Sequence, residues 1–250
     1  MVTLFKNDEH ENVMFNDLSK GYMVQSNQHL IVHNGEAMLL DPGGHKIYPK
    51  LSSNIDKVIS KNKLKYIFFS HQDPDIIASA NAWLLISNAE AYLSELWLRF
   101  IPHFGVDKYV ISRIHGIPDE GMTVNLGGLE LKIIPAHFLH SAGNFQVYDP
   151  VAKILYSGDL GASFGVKESI IENFEQNSKF FETFHKRYLP CNKAIRLWIN
   201  SIRQLDIEII APQHGAVIKS RQAVEKFLHW LKRLPCGVDL MYNLGSFKLT

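Results

Sequence analysis

Four separate apolar runs of this chain each end in a short polar segment that contains a histidine or an aspartate. The clearest run is Tyr66–Ser70, which is followed by His71, Asp73 and Asp75. Runs rich in aromatic and aliphatic residues predict buried strands, and the loops that follow strands carry most binding sites. A chain built this way has to bring several strand ends, with the polar residues behind them, to a common cleft.

The other three runs are followed by His140, Asp159 and His214. Each residue taken alone is more simply a surface or helix-capping residue, but four such strand ends in one chain need a shared explanation. Imidazole and carboxylate donors together suit iron or manganese, whereas zinc accepts them less selectively. The pattern therefore predicts a site for two cations, with iron favoured because carboxylates are numerous. Its candidate ligands are His71, Asp73, Asp75, His140, Asp159 and His214.

Composition limits the remaining possibilities. The chain has 250 residues, of which 46% are hydrophobic and 20% charged, as expected for a folded globular protein. Its net charge of +1 gives no excess of basic residues of the kind that nucleic-acid binding requires. No apolar run reaches the roughly 18 residues of a membrane span. Cys191 and Cys236 lie too far apart in the sequence to form the closely spaced cysteine pair of a metal knuckle. We expect both to be reduced thiols. We therefore expect a cytoplasmic protein without a nucleic-acid or membrane partner.

The alternation of strands and helices predicts a single domain over residues 1–250. A strand meander over residues 20–41, with a hairpin turn at Asn34–Gly35, precedes a mixed strand and helix pattern. This order favours a four-layered αββα sandwich, an α/β fold with two mixed sheets packed face to face and helices outside. Residues 234–250 predict a tail that packs on the body or on a dimer partner. Strands are expected at 21–24, 29–32, 37–40, 65–70, 129–135, 145–148, 153–157 and 207–211, and helices at 47–61, 75–87, 168–204 and 220–233.

The ligand segments resemble those of the metallo-β-lactamase superfamily, and within it the diiron branch of flavodiiron and oxygen-binding diiron proteins. The superfamily's first block has the form H-x-[HED]-x-D-H, and here it reads His71-Gln72-Asp73-Pro74-Asp75-Ile76. The diiron branch has an acidic residue where the hydrolases have their second histidine, and Asp73 occupies that place. The similarity covers residues of about 20–232 and includes the later segments Leu139–Ser141, Ser157–Asp159 and Pro212–Gly215.

This resemblance implies two iron ions, with zinc or manganese as possible substitutes. One iron would be held by His71, Asp73 and His140, the other by Asp75 and His214, and Asp159 would bridge the two.

Other residues are expected to support the site. Asp41 resembles the superfamily's early structural aspartate, which supports the ligands rather than binding metal, and His137 is a candidate hydrogen-bond donor to the site. Gln25 and Asn27 lie in a loop that can approach it. Phe138, Phe145 and Trp83 are either walls of the site or, as we favour, ordinary core residues.

The chain departs from the family pattern in two ways. Ile76 replaces the final histidine of the first block, which would leave the second iron with room for water or dioxygen. The alternative is that this replacement abolishes the second site and leaves one metal or none. The sequence also has no flavodoxin domain after the lactamase-like part, so electrons would come from a separate donor such as a flavoprotein or a rubredoxin-like protein.

The resemblance thus implies a non-haem diiron protein that binds, and slowly reduces, dioxygen. Its diferrous site would form a peroxo-type adduct, with a role in oxygen sensing or in the response to oxygen or nitric oxide. Expected partners are dioxygen, an external electron donor or a signalling protein, and a second copy in a homodimer. Whether the chain is a slow reductase or a sensor stays open. The rival is a dizinc hydrolase of thioesters, lactams or phosphodiesters that uses a metal-bound hydroxide.

Overall fold

The first half of the chain forms a seven-stranded sheet whose spatial order is the chain order. The computed structural model describes residues 1–241. The first four strands form an antiparallel meander, and the last three continue the sheet in parallel. The strands are β1 (Val2–Lys6), β2 (His10–Phe15), β3 (Gln28–His33), β4 (Glu36–Leu40), β5 (Leu64–Phe68), β6 (Glu90–Ser94) and β7 (Ile114–Ile117).

A second seven-stranded sheet follows, in the order β12-β14-β13-β11-β10-β9-β8. Its first four strands along the chain are antiparallel neighbours, and β11 then pairs with β13 in parallel. The strands are β8 (Met122–Leu126), β9 (Leu129–Pro135), β10 (Phe145–Asp149), β11 (Ile154–Tyr156), β12 (Ile170–Ile171), β13 (Ile209–Ala211) and β14 (Val217–Lys219).

The helices flank these sheets. Among the described residues, none of them has the length and apolarity that a bilayer crossing requires. The α-helices are α1 (Tyr48–Ile55), α2 (Pro74–Ile77), α3 (Ala80–Ile86), α4 (Phe174–Asn177), α5 (Lys179–Tyr188), α6 (Asn192–Ile202), α7 (Arg221–Leu231) and α8 (Val238–Met241), and short 3₁₀ helices span Lys61–Lys63, Glu95–Phe104 and Ile111–Arg113.

Alternate side chains of the strands divide the buried residues into three clusters. On β4, Met38 and Leu40 face the cluster between the sheets, whereas Leu39 faces α1 and α3, as the two-residue period of a strand requires. On β11, Leu155 faces α5, α6 and α7, while its neighbour Ile154 faces the first sheet. The predicted αββα sandwich with two mixed sheets is confirmed.

Several local predictions need correction. The Asn34–Gly35 hairpin is confirmed, with positive φ at both residues, but the strand predicted at 21–24 is wrong because Tyr22 and Val24 are exposed in an irregular segment. The helix predicted at 75–87 is two short helices, and the one predicted at 168–204 begins as β12 and breaks before Pro190. Of the tail at 234–250, the part after Met241 lies outside the described residues.

Candidate metal centre

All six predicted ligand side chains lie close together in the cleft where loops from the two sheets meet. The segment after β5 contributes His71, Asp73 and Asp75, because the chain turns sharply there and enters α2 with Pro74 in its first turn. The loops after β9, β11 and β13 contribute the other three side chains. Each sheet therefore provides three residues, and those from the second sheet are His140, Asp159 and His214.

A first group of ligand atoms is formed by His71, Asp73 and His140 around one oxygen of Asp159. The Nε2 atom of His140 lies 3.4 Å from Asp159 Oδ2 and 3.6 Å from Asp73 Oδ2. His71 Nε2 lies 3.5 Å from Asp73 Oδ2 and 3.9 Å from Asp159 Oδ2. The four ligand atoms all lie within 4.8 Å of one another, which is the spacing expected around one cation.

A second group forms on the other oxygen of the same carboxylate. His214 Nε2 lies 3.6 Å from Asp159 Oδ1 and 3.4 Å from Asp75 Oδ2. The Nδ1–H of His214 donates to the backbone oxygen of Gln25 at 2.6 Å, so the neutral ring presents the lone pair of Nε2 to the site. Asp159 thus has one oxygen in each group, an arrangement that can bridge two cations.

The electrostatics of the cleft favour a cation. His71 Nε2 and Asp159 Oδ1 are buried and have no hydrogen-bond partner, although buried polar atoms are almost always paired. Among residues 1–241, no lysine or arginine forms an ion pair with Asp73, Asp75 or Asp159. Metal cations would satisfy both the orphaned atoms and the excess of carboxylates, so the donor set fits the two irons that the resemblance implies.

The pKa shifts reflect the same excess of carboxylates. Burial lowers the pKa of His71, but the neighbouring carboxylates of Asp159, Asp73 and Asp41 outweigh it and raise the pKa to about 9. In return, His71 holds the pKa of Asp73 below its usual value. Burial lowers the pKa of His140. In the absence of a metal, the protonated His71 imidazole therefore offsets the negative charge of these carboxylates.

Asp41 does not face the ligand atoms and is connected to the site by hydrogen bonds of Ser70. Its Oδ1 accepts a hydrogen bond from the Ser70 amide at 2.7 Å, and the Ser70 hydroxyl is hydrogen-bonded to His71 Nδ1 at 3.0 Å. Burial raises the pKa of Asp41 to about 6. The chain Asp41–Ser70–His71 fixes the imidazole so that Nε2 points into the cleft.

Three glutamine side chains that surround the site were missed or given little weight in the sequence analysis. Gln72 donates to Asp73 Oδ1 at 3.1 Å and accepts from the Ser141 hydroxyl at 2.6 Å. This contact holds one oxygen of Asp73 and leaves Oδ2 for the site. Gln213 lies 3.4 Å from Asp75 Oδ2. The side-chain oxygen of Gln25 accepts from the Gly215 amide at 2.7 Å. In the sequence, Gln72 and Gln213 each lie next to a candidate ligand, which was the one signal available for them.

The loop that carries His214 depends on a glycine and on the early loop. Gly215 has φ of +80°, and a Cβ on it would lie 2.2 Å from the backbone oxygen of Ser163, so no other residue fits without a shift. The Asn27 amide side chain donates to the backbone oxygens of Pro212 and Gly215 at 2.9 Å. These contacts hold the His214 loop against the first sheet.

Two other predicted residues have different surroundings from those expected. His137 donates through Nε2 to the backbone oxygen of Asp119 at 2.8 Å and packs against Phe145, so the predicted hydrogen bond to the site is wrong. Ile76 is fully buried among the residues between the first sheet and its helices. It does not occupy the cleft, and Asp75 and His214 come together without a histidine at this position.

The wall of the cleft is aromatic and comes largely from α5. Phe184 and Tyr188 stack on each other with ring centroids 4.8 Å apart, and both contact the ring of His140. Phe164 lies beside Phe184 and His214, so the wall spans both ligand groups. The candidates Phe145 and Trp83 are core residues, and Phe138 is exposed.

Comparison with known proteins identifies the family. A sequence model described as ODP family beta lactamase matches residues 24–215. The chain belongs to this ODP family. A solved structure described as the peroxy diiron species of chemotaxis sensor ODP is 42% identical to this ODP family chain, with a TM-score of 0.87 over 98% of this chain and 100% of that chain. The predicted membership of the diiron branch of the metallo-β-lactamase superfamily is thereby confirmed.

More distant relatives of this ODP family chain are longer proteins. The rubredoxin oxygen:oxidoreductase of the anaerobe Desulfovibrio gigas shares its fold with a TM-score of 0.78 at 16% identity, over 92% of this chain and 61% of that chain. The uncharacterized protein MJ0732 of Methanocaldococcus jannaschii is 28% identical over 85% of this chain and 56% of its own length. The chain spans about half the length of the curated relatives it matches.

Proposed function

We propose that this chain is a non-haem diiron protein that binds dioxygen and acts in oxygen sensing. One observation carries the proposal: the two carboxylate oxygens of Asp159 face two separate groups of histidine and aspartate side chains. A relative that is 42% identical over nearly the whole chain is described as a chemotaxis sensor with a peroxy diiron species. The geometry of Asp159 and this similarity together support the same use of the site in this chain. We propose that residues 1–250 form one diiron domain.

The residues that would hold the two irons follow from the distances. His71, Asp73 and His140 would hold one iron, Asp75 and His214 the other, with Asp159 between them. Three carboxylates leave a net positive charge on two ferrous ions, and this charge favours an anionic oxygen ligand. Bound iron would supply the electrons for dioxygen, and the protein would supply fixed ligands and an aromatic wall that limits the entry of water.

The second group has fewer protein ligands than the first, and this difference supports a binding role. Ile76 offers no donor, so the iron beside Asp75 and His214 would keep positions open to an external ligand, as reactive metal sites do. Turnover would need an external electron donor, such as a flavoprotein or a rubredoxin-like protein. A signalling partner and a homodimer in the cytoplasm complete the proposal by analogy with the family.

The test is iron loading under strict exclusion of oxygen. Purified protein is titrated with Fe(II), its bound iron is measured, and air is then admitted while the visible spectrum is followed. About two irons per chain and an absorption band that persists for minutes to hours would support the proposal. Two bound zinc ions with hydrolase activity, and no such band from the iron-loaded form, would instead favour the dizinc hydrolase.

Substitution of the shared carboxylate tests the bridge itself. Asp159→Ala is expected to bind at most one iron per chain, because both groups lose a donor. The matched control is Asp119→Ala, whose side chain is 87% exposed and makes no contact with the six ligands. Retention of two irons by Asp159→Ala would contradict the bridging assignment.

A further inference from the structure

The two cysteines of the chain lie on segments that pack against each other. Cys191 immediately precedes α6 and is partly exposed, whereas Cys236 precedes α8 and is buried. The Val238 amide donates to the Pro190 oxygen at 2.8 Å, so the residues flanking the two cysteines are hydrogen-bonded to each other. The sequence separation of the cysteines gave no sign of this proximity.

A shared carboxylate brings the two backbones closer. Asp239 Oδ2 accepts from the amide of Asn192, which follows Cys191, at 2.7 Å and from the amide of Cys236 at 3.2 Å. The amide nitrogens of Asn192 and Cys236 are therefore no more than about 6 Å apart, so the backbone segments that carry the two cysteines lie side by side. This carboxylate fixes the separation of the two segments.

Gly237 shows how tight the approach is. It has φ of +50°, and a Cβ on it would lie 2.2 Å from the backbone oxygens of Leu189 and Pro190. Only a glycine beside Cys236 permits this contact. The segment that carries Cys236 is thus held directly on the one that carries Cys191.

The two thiols differ in reactivity. Burial, the carboxylate of Asp239 and the neighbouring Cys191 raise the pKa of Cys236 to about 12, so Cys236 is a poor nucleophile towards an oxidant in solution. Cys191 is partly exposed at the start of α6 and is the thiol that an oxidant can reach.

We propose that Cys191 and Cys236 are a redox-active pair that hydrogen peroxide converts to an intramolecular disulfide. In the first step the Cys191 thiol takes one oxygen from peroxide, forming a sulfenic acid and water. In the second step the Cys236 sulfur attacks the Cys191 sulfur, an S–S bond forms, and the hydroxyl leaves as water with the Cys236 proton. Two thiols lose two electrons in total, and one peroxide gains them.

The disulfide would join the carboxyl-terminal segment to the connection between α5 and α6. Cys191 lies in this connection, three residues after Tyr188, and Tyr188 contacts the candidate ligand His140. Oxidation would therefore fix the position of the segment that follows the aromatic wall. The proposal goes beyond the oxygen-binding function and does not depend on bound iron.

The experiment uses the full chain in its reduced, metal-free form, so that the result is independent of the iron site. The protein is treated with a small excess of hydrogen peroxide, and free thiols are counted after denaturation. The expected result is a fall from two thiols per chain to none, a loss of about two mass units, and one non-reduced peptide that joins Cys191 to Cys236. Two remaining thiols, an over-oxidised Cys191 or a link between chains would overturn the proposal.

Single variants separate the roles of the two thiols. Cys236→Ser is expected to accumulate a sulfenic acid at Cys191 that a dimedone probe traps, because the resolving thiol is missing. Cys191→Ser is expected to keep Cys236 unmodified under the same treatment, because that sulfur is buried. Rapid oxidation of Cys236 in folded Cys191→Ser would contradict the assigned order. The wild-type peptide map decides the question even if a variant is unstable.

Discussion

At the scale of single residues, the candidate site is built from ligands and from the hydrogen bonds that aim them. Gln72 is the clearest case, since it holds one oxygen of Asp73 and is itself held by Ser141. The other oxygen of Asp73 is left facing His71 and His140. Contacts of this kind restrict a carboxylate to the orientation in which it binds metal.

Gln72→Leu is expected to weaken Fe(II) binding about tenfold, the lower end of the usual effect of removing a group that orients a ligand. Only the orientation of Asp73 is lost, so the fold should be unaffected. The measurement is an anaerobic Fe(II) titration of each protein. The control is Gln204→Leu, which removes an exposed amide remote from the cleft. Equal affinity of Gln72→Leu and wild type would show that Gln72 does not orient Asp73.

At the scale of elements, α5 links the cleft to the second sheet. Phe181 of this helix packs in the core, while Phe184 and Tyr188, one turn apart, reach the site. His185 caps the loop behind Asp159, because its Nε2 accepts from the Gly161 amide at 3.0 Å. One helix thus fixes both the wall of the cleft and the loop of the shared carboxylate.

Tyr188→Ala is expected to leave the iron content unchanged and to shorten the lifetime of the oxygen-bound form severalfold, since it opens the cleft to water. The side chain is 58% exposed, so its loss should cost little stability. The decay of the visible band after admission of air gives the lifetime. Tyr109→Ala, at a residue that is 77% exposed and outside the cleft, serves as the control. An unchanged lifetime would mean that the wall does not protect the site.

The elements also show what the sequence could and could not predict. The meeting of the candidate ligands His71 and His214 in one cleft was predictable because each lies shortly after an apolar strand, and strand ends gather in layered folds. The contact of Tyr188 with His140 was not, because it joins residues far apart in sequence through the placement of a whole helix. β2 escaped prediction because polar residues within it are buried: Asn12 donates hydrogen bonds to Asp149 and to the Tyr156 hydroxyl between the sheets.

At the scale of the whole molecule, two buried histidines make the fold sensitive to acid. His29 and His185 are fully buried, and burial lowers the pKa of each to about 4. The unfolded chain, with an ordinary histidine pKa of 6.5, binds more protons than the folded one between these values. The free energy of unfolding therefore falls as the pH drops from 6.5 towards 4, by about 3 kcal/mol for each histidine.

His185→Gln is expected to lose part of this pH dependence, because glutamine does not titrate. The measurement is urea unfolding of the metal-free protein at pH 7 and at pH 5, with the difference in unfolding free energy compared between variants. Other titrating groups contribute equally to both proteins and cancel in the comparison. His229→Gln, at an exposed position, should behave as wild type. A His185→Gln variant with the full wild-type pH dependence would show that His185 is not a neutral buried group.

Each candidate metal position draws on both halves of the sandwich, with His71 and Asp73 opposite His140, and Asp75 opposite His214. A bound cation would then join the two halves through its coordination bonds. If the backbone were nicked between Ile117 and Met122, where the first sheet passes to the second, neither fragment would retain a complete coordination sphere. Fragments reassembled with iron should consequently be harder to separate than metal-free ones, and a chelator should release one from the other.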